Sequence, residues 1–228
     1  DQTYTDVTPN EKQELLRQMG FNGAEQIFLA GSTHKGEEEI VLKAFTKVKE
    51  QFPHSKLLIA PRDIMRTDEI ISLALNYNIK GKKRTQLKLE PTTDHDLVVL
   101  DTIGELGRLY SLADVVFVGG SFVKVGGHNI LEPAAHGKPV LVGPYMFNFR
   151  EIFDLLSKRG VCRMAQNESE LEKTLRDLLA HPEKMKAMGE AALSVVAENQ
   201  GATKRNVDTF AKLAEKYKID LMENTDEY

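Results

Sequence analysis

Six short apolar runs, separated by longer helical patterns, constrain the fold of this chain more than any other feature. All but the last are apolar without a break after their first residue, whereas a strand with one solvated face would alternate apolar and polar residues. Unbroken apolar strands are typical of a parallel sheet that helices cover on both faces. The runs are Gln26–Ala30, Lys56–Ala60, Asp96–Leu100, Asp114–Val118, Pro139–Val142 and Val161–Met164. The chain is therefore predicted to form a doubly wound α/β domain.

Helical patterns fill the intervals between these runs. Asn167, with Glu170 three residues later, has the spacing of a helix N-cap and its partner acid. Pro182 suits the first position of a further helix. Between the first two runs, the apolar residues that share one helical stripe are Ile40, Val41, Ala44, Phe45 and Val48. Strands and helices are thus predicted to alternate along the chain, as in α/β domains.

The segment from residue 119 to residue 132, Gly-Gly-Ser-Phe-Val-Lys-Val-Gly-Gly-His-Asn-Ile-Leu-Glu, is the most distinctive stretch. Its two glycine pairs let backbone amides approach an anion at the start of the helix that follows. Glu132 is placed to accept hydrogen bonds from sugar hydroxyls. The pattern predicts a nucleotide-sugar site, although a tight strand-to-helix connection would also use glycines for its turn geometry. It matches neither the dinucleotide fingerprint nor a P-loop.

Other polar motifs follow predicted strands, and in a doubly wound sheet these positions meet at one edge, where ligands bind. Ser32 and Thr33 precede a helix that begins near Gly36, and are either a phosphate or sugar contact or an ordinary N-cap. Arg62 suits a phosphate or the face of a base, and its alternative is a solvated arginine. The run Ile103–Glu105 opens a short helix, where Gly104 would let a flat base approach the backbone.

Two histidines, His34 and His128, fall in the same edge loops. His128 is predicted either to bind phosphate or to brace its loop. The acidic triple that begins at Glu37 suits a helix N-terminus, where acids complement the dipole, and Glu37 is its candidate ligand contact. The histidine and cysteine spacings do not fit a metal site, so no metal is predicted.

Charge and cysteine content exclude several classes of protein. The formal net charge is −4 with both signs interspersed, so no basic patch points to nucleic acid as a partner. The single cysteine, Cys162, predicts a reduced, cytoplasmic chain and reads as a small buried residue. Neither a membrane-spanning run nor a signal peptide is predicted within the given residues.

At this point the residues resemble a known family, the 3-deoxy-D-manno-octulosonic acid (Kdo) transferases. The glycine segment, continued by Pro-Ala-Ala, resembles that family closely, and the resemblance runs from about residue 1 to residue 210. The other stretches that carry it are Ser32–Glu39, Pro61–Arg62, Asp101–Leu106, Gly137–Pro144 and Phe147–Phe149. The chain departs from the family pattern at Lys124 and Ile130, where proline is common, and at Asp63–Met65, which replaces His-Pro-Glu.

The resemblance implies a fold and a division into domains. These enzymes are GT-B glycosyltransferases with two Rossmann-like domains, and this chain is similar to the C-terminal one, which binds the donor. Residues 1–219 are then the CMP-sugar donor-binding domain with its C-terminal helices, and residues 220–228 are a frayed acidic tail. The N-terminal half, with its membrane anchor, is expected to lie outside this chain.

The resemblance also implies a reaction. The family transfers Kdo from CMP-Kdo to lipid A precursor in lipopolysaccharide biosynthesis, at the cytoplasmic face of the bacterial inner membrane. The lipid acceptor and the catalytic base belong to the N-terminal half, so this chain is expected to hold no catalytic residue and, as a soluble fragment, to be inactive alone. No metal and no cofactor besides the donor are expected.

The same resemblance assigns site residues. Those expected to bind the nucleotide are Pro61, Arg62, Ile103, Gly104, Glu105, Asn129, Ile130, Leu131 and Glu132. Those expected to contact phosphate or sugar are Ser32, Thr33, His34, Glu37, Gly120, Ser121 and His128. Two alternatives remain open: a non-hydrolysing UDP-sugar epimerase, which shares the two-domain architecture, and a nucleotide-binding module without catalysis.

Overall fold

A seven-stranded parallel sheet forms the centre of the structure, a computed structural model that describes residues 7–199. The strands are β1 Ile27–Thr33, β2 Lys56–Pro61, β3 Gly81–Lys83, β4 Leu97–Val99, β5 Val115–Val118, β6 Val140–Val142 and β7 Cys162–Met164. Their order across the sheet is β3-β4-β2-β1-β5-β6-β7, and every neighbouring pair is parallel. All six predicted strands are confirmed, and so is the doubly wound parallel sheet.

Helices lie between the strands. They are α1 Pro9–Gln18, α2 Glu37–Gln51, α3 Thr67–Leu75, α4 Arg84–Leu89, α5 Leu106–Leu109, α6 Leu131–Ala135, α7 Arg150–Lys158 and α8 Glu168–Ala180. Short 3-10 turns cover Ile64–Arg66 and Tyr110–Leu112, and residues 182–199 are helical. Helix α8 begins as predicted, because the Asn167 side chain accepts a hydrogen bond from the backbone N–H of Glu170 at 3.0 Å. The predicted helix after Pro182 is also confirmed.

One apolar cluster joins the sheet to α2 and α8. It includes the predicted inner face of α2 and the leucines of α8, packed with strand residues such as Phe28 and Phe117. Burying a side chain of that size contributes about 1.5–3 kcal/mol. The cluster therefore holds the strands, and with them the loops at their carboxyl ends, in fixed positions.

The edge strand β3 is the element that the hydrophobic pattern does not reveal. It reads Gly-Lys-Lys, has no apolar residue, and pairs only with β4, through Gly81 opposite Leu97 and Lys83 opposite Val99. Charged residues are common on edge strands because they discourage pairing with other chains. Such a strand forms because its neighbour offers free backbone groups.

Strand order reverses at β1, which lies between β2 and β5. In open α/β sheets this reversal leaves a crevice beyond the carboxyl ends of the strands, and ligands bind there. By compactness the chain divides into residues 1–193 and residues 194–228. Of the second unit the structure describes residues 194–199, so the predicted tail at 220–228 lies outside the described residues. Within residues 7–199, no helix has both the length and the apolar composition needed to cross a bilayer.

Candidate functional site

The loops after β1, β2 and β5 meet at the predicted crevice. The backbone N–H of Arg62 donates to the carbonyl of Thr33 at 2.9 Å, and that of Gly119 donates to the carbonyl of Gly31 at 2.8 Å. A Cβ atom on Gly119 would lie 2.4 Å from the carbonyl oxygen of Ser32. This glycine therefore permits the close approach of β5 to β1.

Glu37, the first residue of α2, is fully buried and braces the glycine loop. Its carboxylate accepts backbone N–H groups from Gly120 at 2.7 Å, Ser121 at 2.9 Å and Phe122 at 2.8 Å. It also accepts the backbone N–H of His34 at 2.9 Å. Consecutive amides of this kind form an anion-binding concavity, and here a carboxylate of the chain itself fills it. The structure thus gives Glu37 partners in the loop backbone, where the sequence predicted a phosphate or sugar contact.

Two further residues predicted to contact phosphate or sugar are also buried and paired internally. The Ser121 hydroxyl donates to the carbonyl of Val118 at 2.6 Å and accepts the backbone N–H of Gly143 at 2.8 Å. The Thr33 hydroxyl donates to the carboxylate of Glu38 at 3.0 Å. The Ser121 hydroxyl thus ties the end of β5 to the segment after β6, and the Thr33 hydroxyl ties the end of β1 to α2.

A buried ion pair positions the segment that carries Arg62. Glu38 accepts two hydrogen bonds from Arg66, at 2.8 and 3.3 Å, and the Glu38 side chain is 1% exposed. Arg66 lies in the 3-10 turn that follows Arg62, so the pair links α2 to the loop after β2. The sequence pattern did not distinguish Glu38 from its acidic neighbours, because nothing local marks which of the three meets an arginine.

His34 and His128 form a direct pair at the crevice. Their Nε2 atoms lie 2.7 Å apart and their ring planes differ by 6°, so the rings share one N–H···N hydrogen bond. Burial lowers the pKa of His128, and the nearby His34 and Arg62 lower it further. The Arg62 side chain is exposed and makes no ion pair with any residue in the range 7–199. The structure therefore brings three predicted contacts, Arg62, His34 and His128, into one cluster.

The loop after β4 presents an open backbone surface. Gly104 has a φ of +87° and a Cβ there would have no neighbour within 4 Å, while Ile103 is 85% exposed. The backbone at Gly104 is therefore open to the approach of a flat ring. The Glu105 carboxylate is engaged within the chain, because it pairs with Arg84 at 3.1 Å and with Lys88 at 3.2 Å.

Glu105 is held as a carboxylate by these partners. Burial raises its pKa, but hydrogen bonds and charges from Thr102, Arg84 and Lys88 outweigh burial and lower the pKa overall. Arg84 is itself buried and also donates to the Gln18 side chain at 2.7 Å. No local pattern indicates the role of Arg84, since its partners Glu105 and Gln18 are distant along the chain.

The end of the glycine loop exposes one amide and one carboxylate. The Asn129 side chain accepts the backbone N–H of Leu131 at 3.0 Å and donates to Glu132 at 3.1 Å. Both side chains are exposed, whereas the Ile130 side chain is buried. Any contact from Ile130, or from the buried Pro61, would therefore involve the backbone. Glu132 keeps an exposed carboxylate that can accept hydrogen bonds from hydroxyl groups.

Together these residues suit a ligand with an anionic group, a flat ring and hydroxyls. Arg62 and the histidine pair offer donors to the anion, Gly104 an open backbone, and Glu132 an acceptor. Within the described range 7–199, no cluster of three or more histidine, cysteine or acidic side chains is arranged to hold a metal ion.

Comparisons with known proteins identify the family of this chain. The sequence model of the family Glycosyl transferases group 1 matches residues 27–195. The chain belongs to this glycosyl transferase family. It is 36% identical to the 3-deoxy-D-manno-octulosonic acid transferase of Haemophilus influenzae over 87% of this chain and 48% of that protein. The glycosyl transferase chain described here thus spans about half the length of that relative, and the predicted resemblance to Kdo transferases is confirmed.

Solved structures give the same result for the fold. The crystal structure of the C-terminal CMP-Kdo binding domain of WaaA from Acinetobacter baumannii matches with a TM-score of 0.75 and 28% identity, covering 86% of this chain and 99% of that one. A putative UDP-N-acetylglucosamine 2-epimerase from Listeria monocytogenes matches with a TM-score of 0.52 and 17% identity, covering 81% and 42%. The second likeness shows the fold alone. The predicted architecture, a Rossmann-like domain of the GT-B fold, is confirmed.

Proposed function

We propose that this chain is the donor-binding domain of a glycosyltransferase that moves Kdo from CMP-Kdo to lipid A precursor in lipopolysaccharide biosynthesis. The observation that carries the proposal is the match to the CMP-Kdo binding domain of WaaA, because it covers 99% of that domain. The relatives named for this reaction agree with it.

The described side chains suggest how CMP would lie. Arg62, exposed and without an ion pair, would bind the phosphate, where a guanidinium forms strong charge-assisted hydrogen bonds. The open backbone at Gly104 would receive the cytosine ring, and Ile103 would cover one side of it. Glu132, steadied by Asn129, would accept the ribose hydroxyls. A phosphate held in this way is also a better leaving group, because the donors stabilise the charge that develops on it.

The proposal also covers the acceptor and the catalytic base. Both belong to the part of the relatives that this chain does not match. The chain covers 48% of the Haemophilus protein. We assign the lipid acceptor, the base and attachment to the cytoplasmic face of the inner membrane to that other half. No metal ion is assigned to the reaction.

Nucleotide preference tests the proposal against its two alternatives. Isothermal titration of the 228-residue chain with CMP, UMP and UDP would measure the three dissociation constants under one set of conditions. We expect CMP to bind at least about tenfold more tightly than UMP or UDP, a difference of about 1.4 kcal/mol. A preference for UDP would favour an epimerase-like domain, and no binding of any of the three would contradict donor binding and favour a scaffold domain without catalysis.

A further inference from the structure

We propose that His34 and His128 form a proton-dependent subsite for the phosphate of the nucleotide donor, an inference that rests on the proposed function. The pair would take up a proton as the phosphate binds. The subsite differs from a fixed cationic site in one measurable respect, since its affinity for phosphate would depend on pH in the neutral range.

The glycine loop leaves the phosphate to side chains. The backbone N–H groups of Gly120, Ser121 and Phe122 donate to Glu37, and those of Gly126 and Gly127 donate to the carbonyl of Gly120. These five amides already have acceptors in the chain. Side chains in the crevice are therefore the donors that can add positive charge beside an anion at this edge.

The side chains available to an anion lie in the segments that follow three neighbouring strands. His34 follows β1, Arg62 follows β2, and His128 lies in the loop after β5. The rings of His34 and His128 meet at 2.7 Å, and the charge of Arg62 acts on His128. Arg62 alone supplies a permanent positive charge in this cluster, whereas each imidazole supplies one only when protonated.

The geometry of the pair shows what a phosphate would have to change. One proton lies between the two Nε2 atoms at 2.7 Å, so one ring donates to the other and neither Nε2 has an N–H free for a ligand. An N–H on both Nε2 atoms would part the rings, and both groups could then donate to one phosphate oxygen between them. We assign this form to a protonated pair, because a phosphate dianion stabilises an imidazolium beside it.

The surrounding charges favour protonation of the histidine pair when the phosphate binds. The groups that face the pair are Arg62, from the segment after β2, and the buried carboxylate of Glu37, which accepts the backbone N–H groups of His34 and Gly120. Burial and the positive charges of His34 and Arg62 lower the pKa of His128 in the absence of ligand. A phosphate dianion reverses the sign of the field at the pair and so favours the protonated form.

Calorimetry can measure how many protons are taken up when CMP binds. CMP is titrated into the 228-residue chain at pH 7.5 in buffers that differ in ionisation enthalpy, because the buffer contribution reports the protons taken up. CMP is already a dianion at this pH, since the second pKa of a phosphate monoester is about 6. We expect uptake of between a few tenths and one proton, and an affinity that falls by about two- to tenfold per pH unit between about pH 6.5 and 8.5.

Variants and a second ligand make the test specific. His34→Gln and His128→Gln should each abolish proton uptake and weaken CMP by about three- to tenfold near pH 6.5, with circular dichroism confirming that they are folded. His54→Gln is the matched control, because His54 is exposed and precedes β2, at the opposite edge of the sheet. Cytidine, which has no phosphate, should bind the parent chain without proton uptake.

The outcomes separate this inference from the proposed function. If the parent chain binds CMP without proton uptake, the proton-dependent subsite is wrong and the proposed function is unaffected. This outcome is measured on the parent chain alone, without any variant. Uptake that persists in a folded His34→Gln or His128→Gln chain would overturn it too, as would equal uptake with cytidine. A chain that binds no CMP at any pH would overturn both.

Discussion

Single carboxylates at the crevice differ in their partners, and the partners decide what each group can do for a ligand. Glu37 has four backbone N–H groups on its two oxygens, and Glu105 is held by Arg84 and Lys88. Glu132 has one neutral partner, Asn129, and is exposed. Glu132 is therefore the carboxylate of these three that is free to bind sugar hydroxyls.

Replacing Glu132 tests this assignment. Loss of hydrogen bonds to a charged acceptor costs about 1.5–3 kcal/mol, so Glu132→Ala should weaken CMP binding by about ten- to a hundredfold. Calorimetry on the variant and the parent would measure the change. Glu183→Ala, at an exposed glutamate in the helix over residues 182–199, is the control and should bind as the parent does. A folded Glu132→Ala chain with unchanged affinity would remove Glu132 from the site.

His95 offers a second residue-scale test, on stability. It is buried, its Nε2 lies 2.8 Å from the carbonyl of Met19, and its Nδ1 meets no partner among the described residues. Burial lowers its pKa, and the hydrogen bond to Met19 only partly opposes this. Below about pH 6.5 the unfolded chain takes up a proton at this residue that the folded chain does not. Stability should therefore fall as the pH drops from about 7 towards the lowered folded pKa.

Urea unfolding between pH 7.5 and pH 5.5 measures this effect. His95→Gln keeps a donor for Met19 but cannot titrate, so its free energy of unfolding should change less with pH than that of the parent, while lying about 1–2 kcal/mol lower at pH 7.5. His54→Gln, at an exposed position, should keep the parent's pH dependence. Identical pH dependence in the parent and in His95→Gln would contradict the assignment.

At the scale of elements, the start of α2 and the glycine loop behave as one unit. Glu37 fixes three consecutive amides of the loop after β5, and Glu38 fixes the turn after β2 through Arg66. The two side chains reach opposite neighbours of β1 from adjacent positions on one helix. The first turn of α2 thus sets the distance between the loops that carry Arg62 and His128.

Glu37→Gln tests whether this unit stabilises the fold. The amide nitrogen of glutamine cannot accept hydrogen bonds, so about two buried backbone N–H groups lose their acceptor, and each such loss costs about 1–3 kcal/mol. Guanidinium unfolding should show a free energy of unfolding lower by about 2–6 kcal/mol. The control is Glu39→Gln, an exposed residue on the same turn that pairs with Lys43, where the cost should stay below about 1 kcal/mol. Equal losses in both variants would show that the loop does not depend on Glu37.

The same elements show what could be predicted from the sequence. The apolar strands and the Asn167 cap are local patterns, so they could be predicted. Strand β3 could not, because its pairing with β4 leaves no apolar signature in Gly-Lys-Lys. The motifs of the site were placed at the correct edge, since every one lies at or just after the carboxyl end of a strand. The inward turn of Glu37 and the role of Arg84 depend on partners that are 83 and 66 residues away, which local pattern does not encode.

At the scale of the whole molecule, the share of each relative that this chain covers bears on what the chain can do. The crystallised CMP-Kdo binding domain of WaaA is matched over 99% of its length, so a domain of this extent folds without its other half in that protein. The same chain covers only 48% of the Haemophilus transferase. Binding and catalysis can therefore be separated by experiment.

We predict that these 228 residues bind CMP but transfer no Kdo. The sheet, its covering helices and the donor-side loops are all present, so binding should survive, although an open crevice covers less of the ligand and the affinity should be below that of a two-domain enzyme. Transfer needs a base within about 2.6–3.2 Å of the acceptor hydroxyl, and the described carboxylates at this edge are engaged elsewhere or assigned to the ribose. An assay with CMP-Kdo and lipid A precursor, with a full-length Kdo transferase as the positive control, measures turnover. Turnover by the chain alone would contradict the prediction and would direct attention to Glu105, which is partly exposed, before the buried Glu37.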